Sequence, residues 1–320
     1  MVRAVQVREF GDPTGLEVVD VPAPSPAAGE VLIRTEAIGV SGVDVVARRG
    51  ELLKIFPPGT VLGSEAAGVV IAAGDGVDPV WVGRRVWAFT GRDGAYADQV
   101  TARLDDITEL PSTLSFVDAV AVGSSATVAH FALEHAHFTA GESVLIRGAA
   151  GSIGLATIEL AVRNGASSVA VTTSSESRAQ RLKQLGATHV LDRTGADPHG
   201  TKYDVIVDIV AGPELPVFID KLAPNGRLVM VGAVSGFPAA NFGEVLIRSF
   251  QQSRSVATFS LDTIPVERRN QVREALLEAT TRGELTPVVH DVLPLERAAD
   301  AHRQMDDGSV FGRIVLIPTN

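Results

Sequence analysis

Cysteine is absent from this 320-residue chain. Its absence excludes disulfides, thiolate metal centres and a cysteine nucleophile together, and is compatible with the cytosol without pointing to it. Positive charge is also scarce: 28 Lys and Arg against 38 Asp and Glu leave a formal net charge of −10. A surface of that sign repels phosphate backbones, which excludes nucleic-acid binding as a main role. Long apolar runs are missing too, none approaching the roughly 18–20 residues of a transmembrane helix. The amino-terminal MVRAVQVREFGDP alternates apolar and polar residues instead of forming the apolar core of a signal peptide. These absences lead to the expectation of a soluble cytoplasmic protein with neither a membrane nor a nucleic acid as partner.

What is present is an ordinary globular composition, 45% hydrophobic and 21% charged, long enough for about two domains of roughly 150 residues. The first 120 residues read as β-rich. Val5 and Val7 alternate with polar neighbours, as do Val31, Ile33 and Thr35, and the short runs AAGVVIAAG (66–74) and RVWAF (85–89) end in turns. Pro22, Pro24 and Pro26 mark an extended connector, because proline cannot donate to a sheet ladder. A small barrel or sandwich accounts for this pattern. From about residue 117 a helical stretch follows, and then short apolar strands alternate with helical segments. The strands are SVLIRG (143–148), SVAVTT (168–173), THVLD (188–192), YDVIVDIV (203–210) and GRLVMVGAV (226–234). Such alternation implies a parallel sheet covered on both faces. The fold class expected is therefore α/β, a β-rich domain plus a doubly wound parallel-sheet domain. The tail holds an amphipathic helix around 268–284 and a closing strand, GRIVLIP.

SVLIRG runs directly into GAAGSIGLATIELAVRNG. Gly151 and Gly154 hold the last two glycine positions of G-x-G-x-x-G, with Ala149 where the first would fall. A glycine at the turn lets backbone approach a pyrophosphate, and one a turn later lets the helix pack closely on the strand. The phosphates then meet free N–H groups at the helix amino end, here Ala150, Gly151, Ser152 and Ile153. At the end of the next strand an NAD site presents Asp or Glu to the ribose hydroxyls. This chain offers Thr172, Thr173, Ser174 and Ser175, followed by Arg178, with Arg193 after the third strand. Hydroxyls and guanidinium groups suit a 2′-phosphate, which a carboxylate would repel. NADPH is favoured over NADH, with Glu176 the one dissenting residue.

With these motifs assembled, the chain resembles the medium-chain dehydrogenase/reductase superfamily, specifically its zinc-independent, zeta-crystallin-like quinone oxidoreductase branch. The resemblance rests on GVSGVDVVARRG (39–50), LGSEAAGVV (62–70), GAYAD (94–98), GAAGSIG (148–154), LGATHVLD (185–192), VIVDIVAG (205–212), GRLVMVGAVSG (226–236) and GRIVLIP (312–318), in that order along almost the whole chain. It implies a GroES-like catalytic domain over 1–122 and 256–320 and a Rossmann NADP-binding domain over 123–255. It further implies cofactor contacts at Gly232, Ala233 and Val234, with Phe259 near the nicotinamide and Arg313 in the closing strand, and a homodimer formed through the segment around VGAVSGFP.

The family's alcohol dehydrogenases hold zinc with Cys and His where this chain carries Ser41 and Ser64. Serine is a poor zinc ligand, and His130, His135 and His137 show no carboxylate or cysteine at a recognised metal-ligand spacing, so no metal site is expected. Hydride transfer to a quinone or an α,β-unsaturated carbonyl gives a delocalised anion that hydroxyls and backbone N–H groups can stabilise. By resemblance, Ser41 and Thr127 are the catalytic polar groups, Ser41 standing for the usual asparagine and Val46 for a tyrosine. Glu65 reads as structural, paired with an arginine; the role of Asp44 stays open. The expected activity is NADPH-dependent reduction of a small-molecule quinone or activated alkene held in the interdomain cleft. An enal, enone or enoyl-thioester reductase is the alternative within the class, and an NADPH-binding regulatory protein with little turnover is the alternative outside it.

Overall fold

The computed structural model describes residues 1–52 and 54–319. The chain divides into two compact units, Met1–Ser124 with Pro265–Asn320, and Ser125–Ile264.

In the first unit β1 (Val2–Val7) and β2 (Leu16–Val21) pair antiparallel. They are followed by β3 (Glu30–Val40), the helix α1 (Gly42–Arg48), β4 (Glu65–Ala73), β5 (Arg85–Phe89), β6 (Gln99–Arg103) and β7 (Ile107–Glu109). The long strand β3 bonds to β4 on one side and to β6 on the other. Alternate residues of these strands point inward, so Val31, Ile33, Ile38, Val70, Val86 and Val100 make one apolar core. The helix α1 falls in a stretch that reads as β-rich. Its signal is local: Ser41 caps it by accepting from the Asp44 N–H while the Asp44 carboxylate accepts from the Ser41 N–H, a reciprocal capping box.

The helix α2 (Phe116–His135) begins in the first unit and ends in the second. It corrects the expectation that no segment is long and apolar enough to span a membrane: its 20 residues are so by length and composition. Glycine and serines at its middle hide it from a search for uninterrupted apolar runs. It is a core helix by burial, with 67% of its most apolar window inside the protein.

The second unit continues with β8 (Ser143–Arg147), α3 (Ser152–Arg163), β9 (Ser168–Thr172), α4 (Glu176–Gln184), β10 (His189–Leu191), β11 (Tyr203–Asp208), α5 (Leu215–Ile219), β12 (Leu222–Met230), α6 (Glu244–Arg248) and β13 (Ser255–Thr258). Its six strands lie in the order β10-β9-β8-β11-β12-β13, all parallel. This is the doubly wound 3-2-1-4-5-6 order, whose reversal between β8 and β11 opens a ligand crevice at the strand carboxyl ends. Leu145, Ala170, Ile206 and Leu228 are wholly buried beneath α5 residues Leu215 and Phe218. The strand expected over 226–234 is β12, displaced toward the amino end. It leaves the sheet after Met230, and Gly232 folds against β11's continuation, where an added Cβ would meet the Ile209 carbonyl oxygen at 2.7 Å. The unit runs on past residue 255 because β13 pairs with β12.

The chain then re-enters the first unit with α7 (Val266–Thr281), β14 (Val289–Pro294), α8 (Ala298–Asp306) and β15 (Arg313–Ile317). The strand β15 closes the seven-stranded sheet against β3. Arg273 of α7 lies 3.9 Å over the Trp87 ring, and Arg269 reaches Asp106 at 2.9 Å, so cation–π and ionic contacts fix this helix to β5 and to the turn that precedes β7.

Candidate functional site

The second unit gathers its candidate ligand groups at the strand carboxyl ends. After Arg147 the backbone turns at Gly148 with φ +86°, a conformation glycine adopts without the Cβ penalty. The Gly151 N–H closes the turn on the Gly148 carbonyl at 3.3 Å. Helix α3 starts at Ser152 with an extended Gly151 cap and no side-chain cap. The first-turn amides of Ser152, Ile153 and Gly154 thus lack intrahelical partners, a site suited to an anion. A Cβ on Gly154 would stand 2.6 Å from the Ala149 Cα, whereas one on Gly151 would meet nothing closer than 3.8 Å. Gly154 therefore serves packing, and Gly151 keeps an open face. Ala150, Ser152 and Ile153 border the same turn, half-buried.

At the end of β9 the hydroxyls divide. The Thr172 Oγ1 accepts from the Gly148 N–H at 3.3 Å, and the Thr173 Oγ1 accepts from the Ser175 N–H at 3.4 Å. These two secure the loop. Ser174 is exposed, and Ser175 caps α4 by accepting from the Arg178 N–H. Burial, followed by the positive fields of Arg193 and then Arg181, lowers the pKa of the Arg178 guanidinium. That mutual repulsion places Arg178 and Arg193 in one positive field, the arrangement a dianionic phosphate relieves.

Sequence reading missed a buried ion pair beside the glycine turn. Arg147 and Asp208 are register partners at the ends of β8 and β11, 4% and 0% exposed, with Arg147 Nη1 3.1 Å from Asp208 Oδ2. The other Asp208 oxygen accepts from the Val210 and Ala211 N–H groups at 2.8 and 2.9 Å. Arg147 Nη1 donates to the Ala211 carbonyl at 2.7 Å, and its guanidinium stacks 4.0 Å over Phe218. Together these bonds hold Ala211 at φ +51° and fix the loop against which Gly232 packs. The available signal was a charge of each sign closing two neighbouring apolar strands, VLIR and VIVD. Ala233 and Val234 are exposed. Phe259, whose N–H donates to the Met230 carbonyl, lies with its ring 5.6 Å from that of His135. Thr127 is wholly buried in α2.

In the first unit Ser41, Asp44, Tyr96 and His302 form one polar chain. The Ser41 N–H and hydroxyl donate to Asp44 Oδ2 at 2.8 and 2.9 Å, and the Tyr96 hydroxyl donates to the same oxygen at 3.3 Å. That hydroxyl also lies 3.1 Å from His302 Nε2. Asp44, Tyr96 and His302 are buried. Burial raises the Asp44 carboxyl and the Tyr96 phenol above their ordinary ranges and lowers the His302 imidazole to about 3. Beside them Arg313 bonds Glu65, so the candidate cofactor arginine has its guanidinium on a buried carboxylate. Gly39 leaves room for that pair, because a Cβ there would run into both side chains.

This donor set does not fit zinc. The Ser41 hydroxyl is engaged by Asp44, Ser64 offers a hydroxyl where imidazole or thiolate is required, and among the described residues no three His, Asp or Glu side chains cluster as ligands. Of the three clustered histidines, His130 faces Glu134 at 3.9 Å and His135 faces Phe259.

Two family models match the chain: an alcohol dehydrogenase GroES-like domain over residues 27–112 and a zinc-binding dehydrogenase over residues 185–316. The quinone oxidoreductase of Mus musculus is 33% identical over 99% of this chain and 98% of its own. Among solved structures, the quinone oxidoreductase of Pseudomonas syringae pv. Tomato DC3000 superposes with a TM-score of 0.90 at 28% identity, over 99% of this chain and 100% of its own. A mycobacterial protein solved with NADPH superposes with a TM-score of 0.89 at 30% identity, again over 99% and 100%. The chain belongs to the quinone oxidoreductase branch of the medium-chain dehydrogenase/reductase superfamily. As a member it is an oxidoreductase, built from a GroES-like domain and a Rossmann domain.

Proposed function

We propose that this protein transfers hydride from NADPH to a quinone or another α,β-unsaturated carbonyl acceptor, without zinc. The paired field of Arg178, in the first turn of α4, and Arg193, just after β10, carries the cofactor assignment, since it follows the end of β9, where an NAD site keeps a carboxylate. The mycobacterial relative solved with NADPH supports it. The first-turn amides of α3 would hold the pyrophosphate, and Gly232 to Val234 with Phe259 would border the nicotinamide. When bound, the cofactor supplies the hydride. The acceptor class follows from the donor set: with hydroxyls and no fitting metal ligands, the anion best stabilised is delocalised over an enolate or phenolate.

The test is NADPH oxidation with ortho- and para-quinones and 2-alkenals, alongside NADH and chelator-treated enzyme. Chelator-insensitive turnover with one acceptor class is expected. Arg178→Ala should weaken NADPH binding by about 1.5–3 kcal/mol, roughly 10- to 150-fold, and leave NADH nearly unchanged. Equal losses for both would overturn the 2′-phosphate assignment.

Self-association belongs to the same proposal. β13 is an edge strand, and Val234, Phe237, Ile247 and Phe250 are 59%, 92%, 73% and 77% exposed, an apolar surface suited to a second copy. Sedimentation of Phe237→Asp as a monomer, against a wild-type dimer, is the expected result.

A further inference from the structure

The Arg147–Asp208 pair lies where the parallel sheet reverses its strand order, yet both side chains are buried. An ion pair taken out of water is costly to assemble, and two apolar side chains of similar volume hold a core as well or better. What apolar groups cannot do is aim hydrogen bonds at one turn of backbone. Asp208 Oδ1 accepts from the Val210 and Ala211 N–H groups, while Arg147 Nη1 donates to the Ala211 carbonyl and to Asp208 Oδ2. Both backbone polar groups of Ala211 are therefore tied to the pair. Ala211 sits at φ +51°, a left-handed conformation that its Cβ disfavours. A residue keeps such a conformation only where its surroundings over-determine it.

From Ala211 the constraint passes to the segment that leaves β12. The Gly212 N–H donates to the Gly236 carbonyl at 3.1 Å, the Ser235 N–H to the Val210 carbonyl at 2.9 Å, and the Val231 N–H to the Asp208 carbonyl at 2.9 Å. The two segments touch closely, since a Cβ on Gly212 would stand 2.8 Å from the Ser235 Cβ. Residues 231–236 thus take their place from the turn at Ala211. The glycine turn after β8 is secured by different bonds, the Gly148 N–H donating to Thr172 Oγ1 and the Gly151 N–H to the Gly148 carbonyl. Ser175 fixes the start of α4. Within the second unit, the phosphate end and the Gly232 end of the crevice rest on separate sets of bonds.

We propose that Arg147 and Asp208 are positioning residues for the nicotinamide half of the dinucleotide site alone. Through Ala211 they set the backbone of Gly232 to Val234, while the adenosine and phosphate half is held independently from β9. This rests on the dinucleotide reading above.

Titration calorimetry of the full chain with NADPH and with adenosine 2′,5′-bisphosphate reads the two halves separately. Arg147→Met should lose roughly tenfold in NADPH affinity, about what one misplaced hydrogen bond costs, and keep its affinity for the bisphosphate. Arg147→Met/Asp208→Val leaves no lone ion buried, so it should regain part of the thermal stability that Arg147→Met loses, yet bind NADPH no better. Adding Ala211→Gly, which takes a positive φ without the pair, should recover part of the NADPH affinity. A pair that served stability alone would not respond in that way. Arg147→Lys keeps a cation beside Asp208 but loses the planar stack 4.0 Å over Phe218. It should show the same split between ligands in smaller degree, which carries the test if the other variants do not fold. An unchanged NADPH affinity, an equal fall for both ligands, or an NADPH affinity that returns with stability in the double variant overturns the proposal. Wild-type protein that binds neither ligand sinks the dinucleotide reading instead, and the positioning role with it.

Discussion

Acidification should destabilise the first unit through a single histidine. His302 is fully buried, its Nδ1 has no hydrogen-bond partner, and burial together with the Arg48 charge lowers its pKa to about 3. In the unfolded chain the same imidazole titrates near 6.5. Between those values the unfolded state binds one proton more than the folded state, so stability is full above pH 6.5 and is lost as pH falls. The slope is about 1.4 kcal/mol per pH unit, or about 2 kcal/mol at pH 5 and about 4–5 kcal/mol over the whole interval. Both tryptophans, Trp81 and Trp87, lie in this unit, so urea unfolding followed by their fluorescence reports it directly. His302→Gln offers an N–H to Tyr96 and cannot be protonated. Between pH 7.5 and 5 the wild type should lose about 2 kcal/mol more than this variant. Parallel losses in the two proteins would refute the reasoning, since every other titrating group is common to both.

Three substitutions probe the remaining geometry. Arg147→Met leaves the buried Asp208 carboxylate without its cation and should cost about 3–5 kcal/mol, read as a lower second transition by circular dichroism; a loss under about 1 kcal/mol would show that the Val210 and Ala211 amides suffice. Gly154→Ala pushes a methyl against the Ala149 backbone, and its overpacking of about 1–3 kcal/mol should lift the helix end and weaken NADPH binding at least tenfold in a fluorescence titration. Gly39→Ala should break the Glu65–Arg313 pair and lower the tryptophan-reported midpoint, with no effect on isolated nucleotide affinity.

Much of the second unit was legible because its signals are local. Strand periodicity, the glycine turn and the run Thr172 to Arg178 lie within a few residues of one another, and parallel strands buried on both faces must be apolar along their whole length. The α1 cap was equally local, but its Ser41-to-Asp44 spacing is short enough to pass for a loop. The end of β12 was misjudged because apolar residues continue through Val234, and only the approach of Gly232 to Ile209 takes the chain out of the sheet.

By itself the sequence determined the family and the doubly wound sheet, and it supplied the arginines proposed here for a phosphate, since each depends on residue type at fixed spacing. The tertiary structure alone decided which charged and polar groups are buried together. Arg147 meets Asp208 across 61 residues, Arg313 meets Glu65 across 248, and His302 reaches Tyr96 across 206. No periodicity encodes such pairs. They arise when strands and helices distant in the chain close on one core, where the loss of solvent makes a partner obligatory for an ion and shifts the protonation of Asp44 and His302.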